Sequence, residues 1–135
     1  MDKVFVDTDI VLDVLTKREP FYQYAAYIFS KADKKEIKLA VSSLTFANLN
    51  YLLSKKLGTT NARKKLLQFK TLVEVMSVDN KIIDLALGSS FKDFEDAVQY
   101  YCAIENGYPI LLTRNLPDYK KANIPVMTAE SYVKS

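Results

Sequence analysis

Val4-Phe5-Val6-Asp7-Thr8-Asp9 is the stretch on which the reading of this 135-residue chain turns. Three consecutive apolar residues rich in β-formers predict a strand buried on both faces, as in a parallel sheet covered by helices. The strand then ends on a carboxylate. A charged group at the end of a central strand is costly to desolvate without a partner, so Asp7 reads as functional. From Ile10 to Leu15 the pattern turns helical, with Thr8 or Asp9 placed as the N-cap. For Asp9, capping is the favoured reading.

Outward from that stretch, helix and strand alternate. Pro20 opens a helix with Phe21, Tyr24, Ala25, Ile28 and Ala32 at helical spacing. Leu39-Ala40-Val41 is a second strand, Ser42-Ser43 caps the following helix, and Gly58 stops that helix after Leu44 to Lys56. Asn61 to Leu72 is another helix, with Ala62, Leu66, Phe69 and Val73 facing inward. Val73 to Val78 reads as a third strand, and Asp79 caps a short helix carrying Ile82, Ile83 and Ala86. Phe94, Ala97, Val98, Tyr101 and Ile104 give the next helix its buried stripe, ended by Asn106-Gly107. Pro109 to Thr113 is a fourth strand and Pro125-Val126-Met127 a short fifth. The expected architecture is α/β: one three-layer α/β/α sandwich over residues 1–135, with a central, mostly parallel sheet of four to five strands.

Composition narrows the chemistry. The chain has no His and one Cys, Cys102, which falls in an apolar periodic stretch and reads as a buried small hydrophobe. Without His, Ser-His-Asp hydrolases, Cys-His proteases and His-ligated zinc sites are excluded together. A lone Cys excludes a thiolate cage. Any metal site is therefore built from oxygen donors, which favour Mg²⁺, Mn²⁺ or Ca²⁺. A net charge of +3 permits nucleic-acid binding without requiring it. Its distribution is more telling, with Lys55, Lys56, Arg63, Lys64 and Lys65 in one region and Asp93, Glu95 and Asp96 in another, although a solvated surface can show the same pattern. No segment is apolar enough for a membrane span and the N-terminus lacks a secretory pattern, so a cytoplasmic protein is expected.

Ligands of open parallel sheets bind beyond the carboxyl ends of the strands. The polar residues falling there are Asp7, Thr8 and Asp9, then Ser42 and Ser43, then Thr113, Arg114 and Asn115. Asp96, early in the helix before the fourth strand, is expected to face the same crevice. Asp93, three residues earlier, would share its face. Carboxylates converging on one crevice repel one another unless a cation lies between them. Asp93 and Glu95 also suit a helix N-terminus electrostatically, which is the structural alternative for both.

Four blocks in this order resemble the PIN-domain family, which includes VapC-type toxin ribonucleases. They are Val4-Phe5-Val6-Asp7-Thr8-Asp9; Ser42-Ser43-Leu44-Thr45-Phe46-Ala47-Asn48; Asp93-Phe94-Glu95-Asp96-Ala97 with Ala103; and Leu112-Thr113-Arg114-Asn115 with Asp118-Tyr119. The resemblance runs the length of the chain. It implies a metal-dependent endoribonuclease, the toxin of a toxin–antitoxin pair, with Mg²⁺ or Mn²⁺ held by Asp7 and Asp96. Thr8, Asn48 and Asn115 would orient water and phosphate, and Arg114 would contact the RNA backbone unless it is merely a surface residue. Most PIN nucleases carry a glutamate where this chain has Asn48. A branch with Phe-Ala-Asn resembles this one, and Asp93 is a candidate for the missing charge. The implied partners are an RNA substrate, a small antitoxin protein filling the crevice, and a second copy in a homodimer. Aromatic groups such as Phe21, Tyr22, Tyr24 and Tyr27, or Phe46 and Tyr51, suit such surfaces, although aromatic stripes at helical spacing more often face the core.

Two rivals remain on this reading, and a third fails. A catalytically impaired PIN fold, binding RNA or protein, is favoured by Asn48. Asp7-Thr8-Asp9-Ile10-Val11 also fits the nucleophile motif of haloacid-dehalogenase-type phosphatases, with Asp7 as nucleophile. The chain is short for that fold, and its later acidic pair opens a helix where that family needs it directly after a strand. A receiver domain fails because no Lys follows the fifth strand.

Overall fold

The computed structural model describes residues 1–135. Its sheet is five-stranded and wholly parallel, in the order β3-β2-β1-β4-β5. The strands are β1 (Asp2–Val6), β2 (Ile37–Ser42), β3 (Glu74–Met76), β4 (Ile110–Leu112) and β5 (Val126–Met127). β1 is central, with Phe5 paired to Ala40 on one side and to Leu111 on the other.

Strand period 2 explains the layers. Val4, Val6, Leu39, Val41 and Leu112 face one core, which they share with α1 (Thr8–Leu15), α2 (Tyr22–Asp33), α3 (Ser43–Leu57), α4 (Thr59–Lys70) and Ala129 of α7 (Ala129–Lys134). Phe5, Ala40 and Leu111 face the other, against α5 (Asn80–Leu87) and α6 (Phe94–Glu105). Both faces are buried, which accounts for the unbroken apolar runs. Gly58, at φ 84°, joins α3 to α4 in a backbone region that L side chains rarely adopt.

The winding locates the site. The chain lays β1, β2 and β3 in one direction, returns to set β4 beside β1, and then continues outward to β5. The carboxyl ends of β1 and β4 thus flank the point where strand order reverses, where open α/β sheets leave a crevice.

Several expectations are corrected. The cap of α1 is neither Thr8 nor Asp9 but Asp7, whose side chain accepts from the Thr8 N–H. Phe94 is exposed, and the buried face of α6 runs instead through Asp96, Ala97, Val98, Gln99, Tyr100, Cys102 and Ala103. Asp93 does not share a helical face with Asp96; it is the N-cap, its Oδ1 accepting from the Asp96 N–H at 3.0 Å. Helix α7 and a 3₁₀ turn at Leu116–Tyr119 were not anticipated. The turn brings Tyr119 into the core beside α6.

Candidate active site

Asp7 leaves the sheet with its N–H still bonded to the Leu112 carbonyl at 2.9 Å, so its backbone is fixed by β4. The side chain is almost fully buried and held at both oxygens. Oδ1 accepts from the Thr8 N–H at 2.7 Å, while Oδ2 accepts from the Thr113 hydroxyl at 2.9 Å and the Tyr119 hydroxyl at 3.1 Å. The same Tyr119 hydroxyl lies 3.4 Å from Asp96 Oδ1. One phenol thus bridges two buried carboxylates delivered by different elements, which fixes Asp7 and Asp96 as neighbours across the crevice.

Neither carboxylate is comfortable when ionised. Burial, with Asp9 adding repulsion, pushes Asp7 up to about 6. Burial again, followed by the charges of Asp7, Asp93 and Asp118, pushes Asp96 up to about 8. Tyr119 is driven far above the ordinary phenol range by burial and by both aspartates, so it stays a donor.

A hydroxyl and amide lattice underlies the pair. Gln99, one turn beyond Asp96 on α6 and fully buried, donates from Nε2 to the Thr45 hydroxyl at 3.1 Å and to the Thr8 hydroxyl at 3.4 Å. The two threonine hydroxyls share a hydrogen bond of 3.0 Å. Gln99 Oε1 and Asp9 Oδ1 are buried without a hydrogen-bond partner. Both residues line the crevice, together with Asp7, Thr8, Leu12, Asn48, Tyr51, Leu52, Asp93, Glu95, Asp96 and Asn115.

Asp7, Thr8, Asn48, Asp93, Asp96 and Asn115, the expected site residues, are therefore brought together; Arg114 is not. Its guanidinium turns back to α1, where Nε and Nη2 donate to the two oxygens of Asp13 at 2.8 and 3.1 Å. It also lies 4.2 Å from the centre of the Phe21 ring. What Arg114 offers the site is its backbone, whose N–H donates to Asp9 Oδ2 at 3.0 Å. Sequence reading missed Asp13, Gln99, Thr45 and Tyr119 and mistook Asp9 for a cap. Asp13 carried a usable signal, a charge at a position the helical pattern buries. Cys102 is buried, as expected, and its thiol is pushed up to about 12 by that burial.

The donor set suits a hard dication. No three His, Cys, Asp or Glu side chains lie close enough to chelate one ion together. Asp7 and Asp96, with the neutral oxygens of Gln99 and Asn48 nearby, match the habit of Mg²⁺, which takes one or two carboxylates and keeps several waters. The orphaned Gln99 Oε1 is a buried acceptor that such an ion, or one of its waters, would satisfy.

Comparison with known proteins bears on the fold that carries this site. Ribonuclease VapC1 of Aquifex aeolicus is 27% identical, over 97% of this chain and 93% of its own. VapBC2 from Rickettsia felis, solved bound to a DNA fragment from its promoter, superposes with a TM-score of 0.68 at 20% identity, over 93% of this chain and 96% of the other. FitAcB from Neisseria gonorrhoeae gives a TM-score of 0.72 at 14% identity, over 94% and 98%. The PIN-domain model matches residues 3–117, from β1 into the 3₁₀ turn that follows Asn115, and sets aside the phosphatase reading of Asp7-Thr8-Asp9: the chain belongs to the PIN domain family.

Proposed function

We infer that this protein is a metal-dependent endoribonuclease and the toxin of a toxin–antitoxin pair. The observation that carries the reading is the Asp7–Asp96 pair, two buried carboxylates bridged by Tyr119 at the reversal point of the sheet. Their raised proton affinity supports a cation site, because a dication held by these two residues would relieve the repulsion that protons otherwise relieve. The resemblance to a VapC ribonuclease supports RNA as substrate, and likeness to VapBC assemblies supports an antitoxin partner.

Asp7 and Asp96 would hold Mg²⁺ or Mn²⁺. When bound, such an ion polarises the scissile phosphate, acidifies a water and offsets charge on the leaving oxygen. The chain's own residues do the positioning. Thr113, Tyr119 and the Thr8 N–H lock the Asp7 carboxylate, leaving it no rotational freedom to lose on binding. Gln99 and Thr45 hold the Thr8 hydroxyl at the crevice wall. Asn48 and Asn115, which both line the crevice, would orient water and phosphate. Asn48 carries no charge and cannot act as a base. Asp9 Oδ1, a buried carboxylate oxygen without a hydrogen-bond partner, would be one acceptor for a proton there, beside the crevice carboxylates of Asp93 and Glu95. Lys and Arg groups outside the crevice would supply salt-sensitive, sequence-indifferent attraction to RNA.

A second reading, a PIN fold that binds RNA without cutting it, is favoured by Asn48 alone. One experiment separates them. A mixed panel of structured and single-stranded RNAs is incubated with Mn²⁺, Mg²⁺ or EDTA, using wild type and Asp7→Asn. Metal-dependent cleavage lost by at least about a thousandfold in Asp7→Asn, with the fold unchanged by circular dichroism, is the expected result. RNA binding without cleavage would establish the second reading.

A further inference from the structure

Four residues on one face of α3 step outward from the carboxylate pair. Thr45 lies buried in the crevice floor, Asn48 and Tyr51 line the wall, and Lys55 follows. Spacings of three, three and four keep them on one helical stripe, and at roughly 1.5 Å per residue the run covers about 15 Å. Tyr51 stands out on this stripe because it is 60% exposed although it belongs to the crevice lining. The Lys55 ammonium lies 4.2 Å from its ring centre. Lys55, like most cations of this chain, has no carboxylate within ion-pair distance. Leu52, also lining the crevice, is 42% exposed and adds apolar surface beside the ring.

The Lys55 ammonium sits over one face of this ring, so the opposite face of the exposed ring is the platform on which a nucleobase can stack. Stacking needs an unpaired base, since a duplex keeps its bases face to face. Resting on the reading of this crevice as a ribonuclease site, we propose that Tyr51 is a substrate-binding residue that stacks an unpaired base of single-stranded RNA flanking the phosphate at Asp7 and Asp96. Lys55 lies along the same strand and neutralises a neighbouring phosphate. The enzyme thereby selects unpaired RNA through α3 and not through the carboxylates.

The chain contains no Trp, so Tyr51→Trp introduces a single fluorescent reporter at this position. Binding is measured in EDTA, where nothing is cut, with a mixed-sequence single-stranded oligoribonucleotide, the same strand made abasic, and the matching duplex. Single-stranded RNA should quench the Tyr51→Trp emission, and the abasic strand should leave it bright. Tyr51→Ala should weaken single-stranded binding about 5- to 100-fold, Tyr51→Phe should bind within about twofold of wild type, and duplex binding should be insensitive to all three changes. Single-stranded affinity unchanged in Tyr51→Ala would overturn the proposal while leaving the nuclease intact, as would equal losses on single strand and duplex. A changed sedimentation coefficient at unchanged RNA affinity would assign the ring to contact between copies. Wild type that binds none of the RNAs would overturn this proposal and the ribonuclease reading together.

Discussion

Asp7 and Asp96 hold their protons well above the ordinary carboxylate range, and Asn48 faces them without a charge of its own. At this scale the chemistry is a question of how much negative charge the crevice carries. An added carboxylate near the ion is worth on the order of 1.4 kcal/mol or more at partly screened distances, a factor of ten in affinity. Asn48→Glu should therefore tighten Mn²⁺ binding on the order of tenfold by calorimetric titration, while lowering the melting temperature of the metal-free protein because a sixth acid would then line a crevice that already holds five. Unchanged affinity would place Asn48 outside the ion's reach. Asp7 was legible in the sequence because an acid ending a central buried strand is costly to desolvate without a partner, although it also caps α1. Asp96 was legible chiefly through its place ahead of the fourth strand. Gln99 and Tyr119 were not, since a buried amide and a core tyrosine read as ordinary helix and turn residues until the fold sets them beside the carboxylates. Arg114 was misread because its position after β4 specifies where its backbone goes but not its side chain.

At the level of elements, the Arg114–Asp13 pair joins α1 to the loop after β4. Asp13 is fully buried and receives two guanidinium hydrogen bonds, with Arg18 a looser neighbour at 4.0 Å. Because the Arg114 N–H and the Thr113 hydroxyl both bond acids of the site, this clamp also sets the positions of Asp9 and Asp7. Asp13→Ala should cost about 2–4 kcal/mol by chemical denaturation, less than a wholly buried pair because Arg114 remains partly exposed. Asp13→Leu combined with Arg114→Met should recover most of that loss. Additive losses in the double variant would mean that the two side chains do not act as a pair. The strands were legible at this scale, since alternating inward and outward apolar residues in β1 and β2 serve two cores at once. The shift in α6 was not: its buried face includes Asp96 and Gln99, polar residues that the site requires and that a hydrophobic stripe cannot reveal. Helix α7 was missed for the opposite reason, being six residues long and burying little beyond Ala129.

For the whole molecule, the proposed metal site would couple metal, protons and folding. A carboxyl group in an unfolded chain titrates near 3.8, whereas Asp7 and Asp96 titrate near 6 and 8 in the folded, metal-free protein. Below pH 3.8 both states hold these protons and the pair costs nothing. Between that pH and about 8 the unfolded chain releases protons that the folded chain retains, so the pair's contribution to stability falls as pH rises across this window. On the proposed reading a dication would bind the ionised pair and would have to displace protons to do so at the acidic end. The rise in melting temperature produced by saturating Mn²⁺ should therefore be small at pH 5.5 and grow toward pH 8.5, reaching on the order of 2 kcal/mol, or roughly 5–10 °C for a domain of this size. Asp7→Asn removes one of the two acids. It should melt above wild type at pH 8 without metal, and it should lose most of the metal-dependent rise. Taking the difference between wild type and variant at each pH cancels the other titrating groups. A rise independent of pH, or one greatest at pH 5.5, would show that the ion binds away from these two carboxylates.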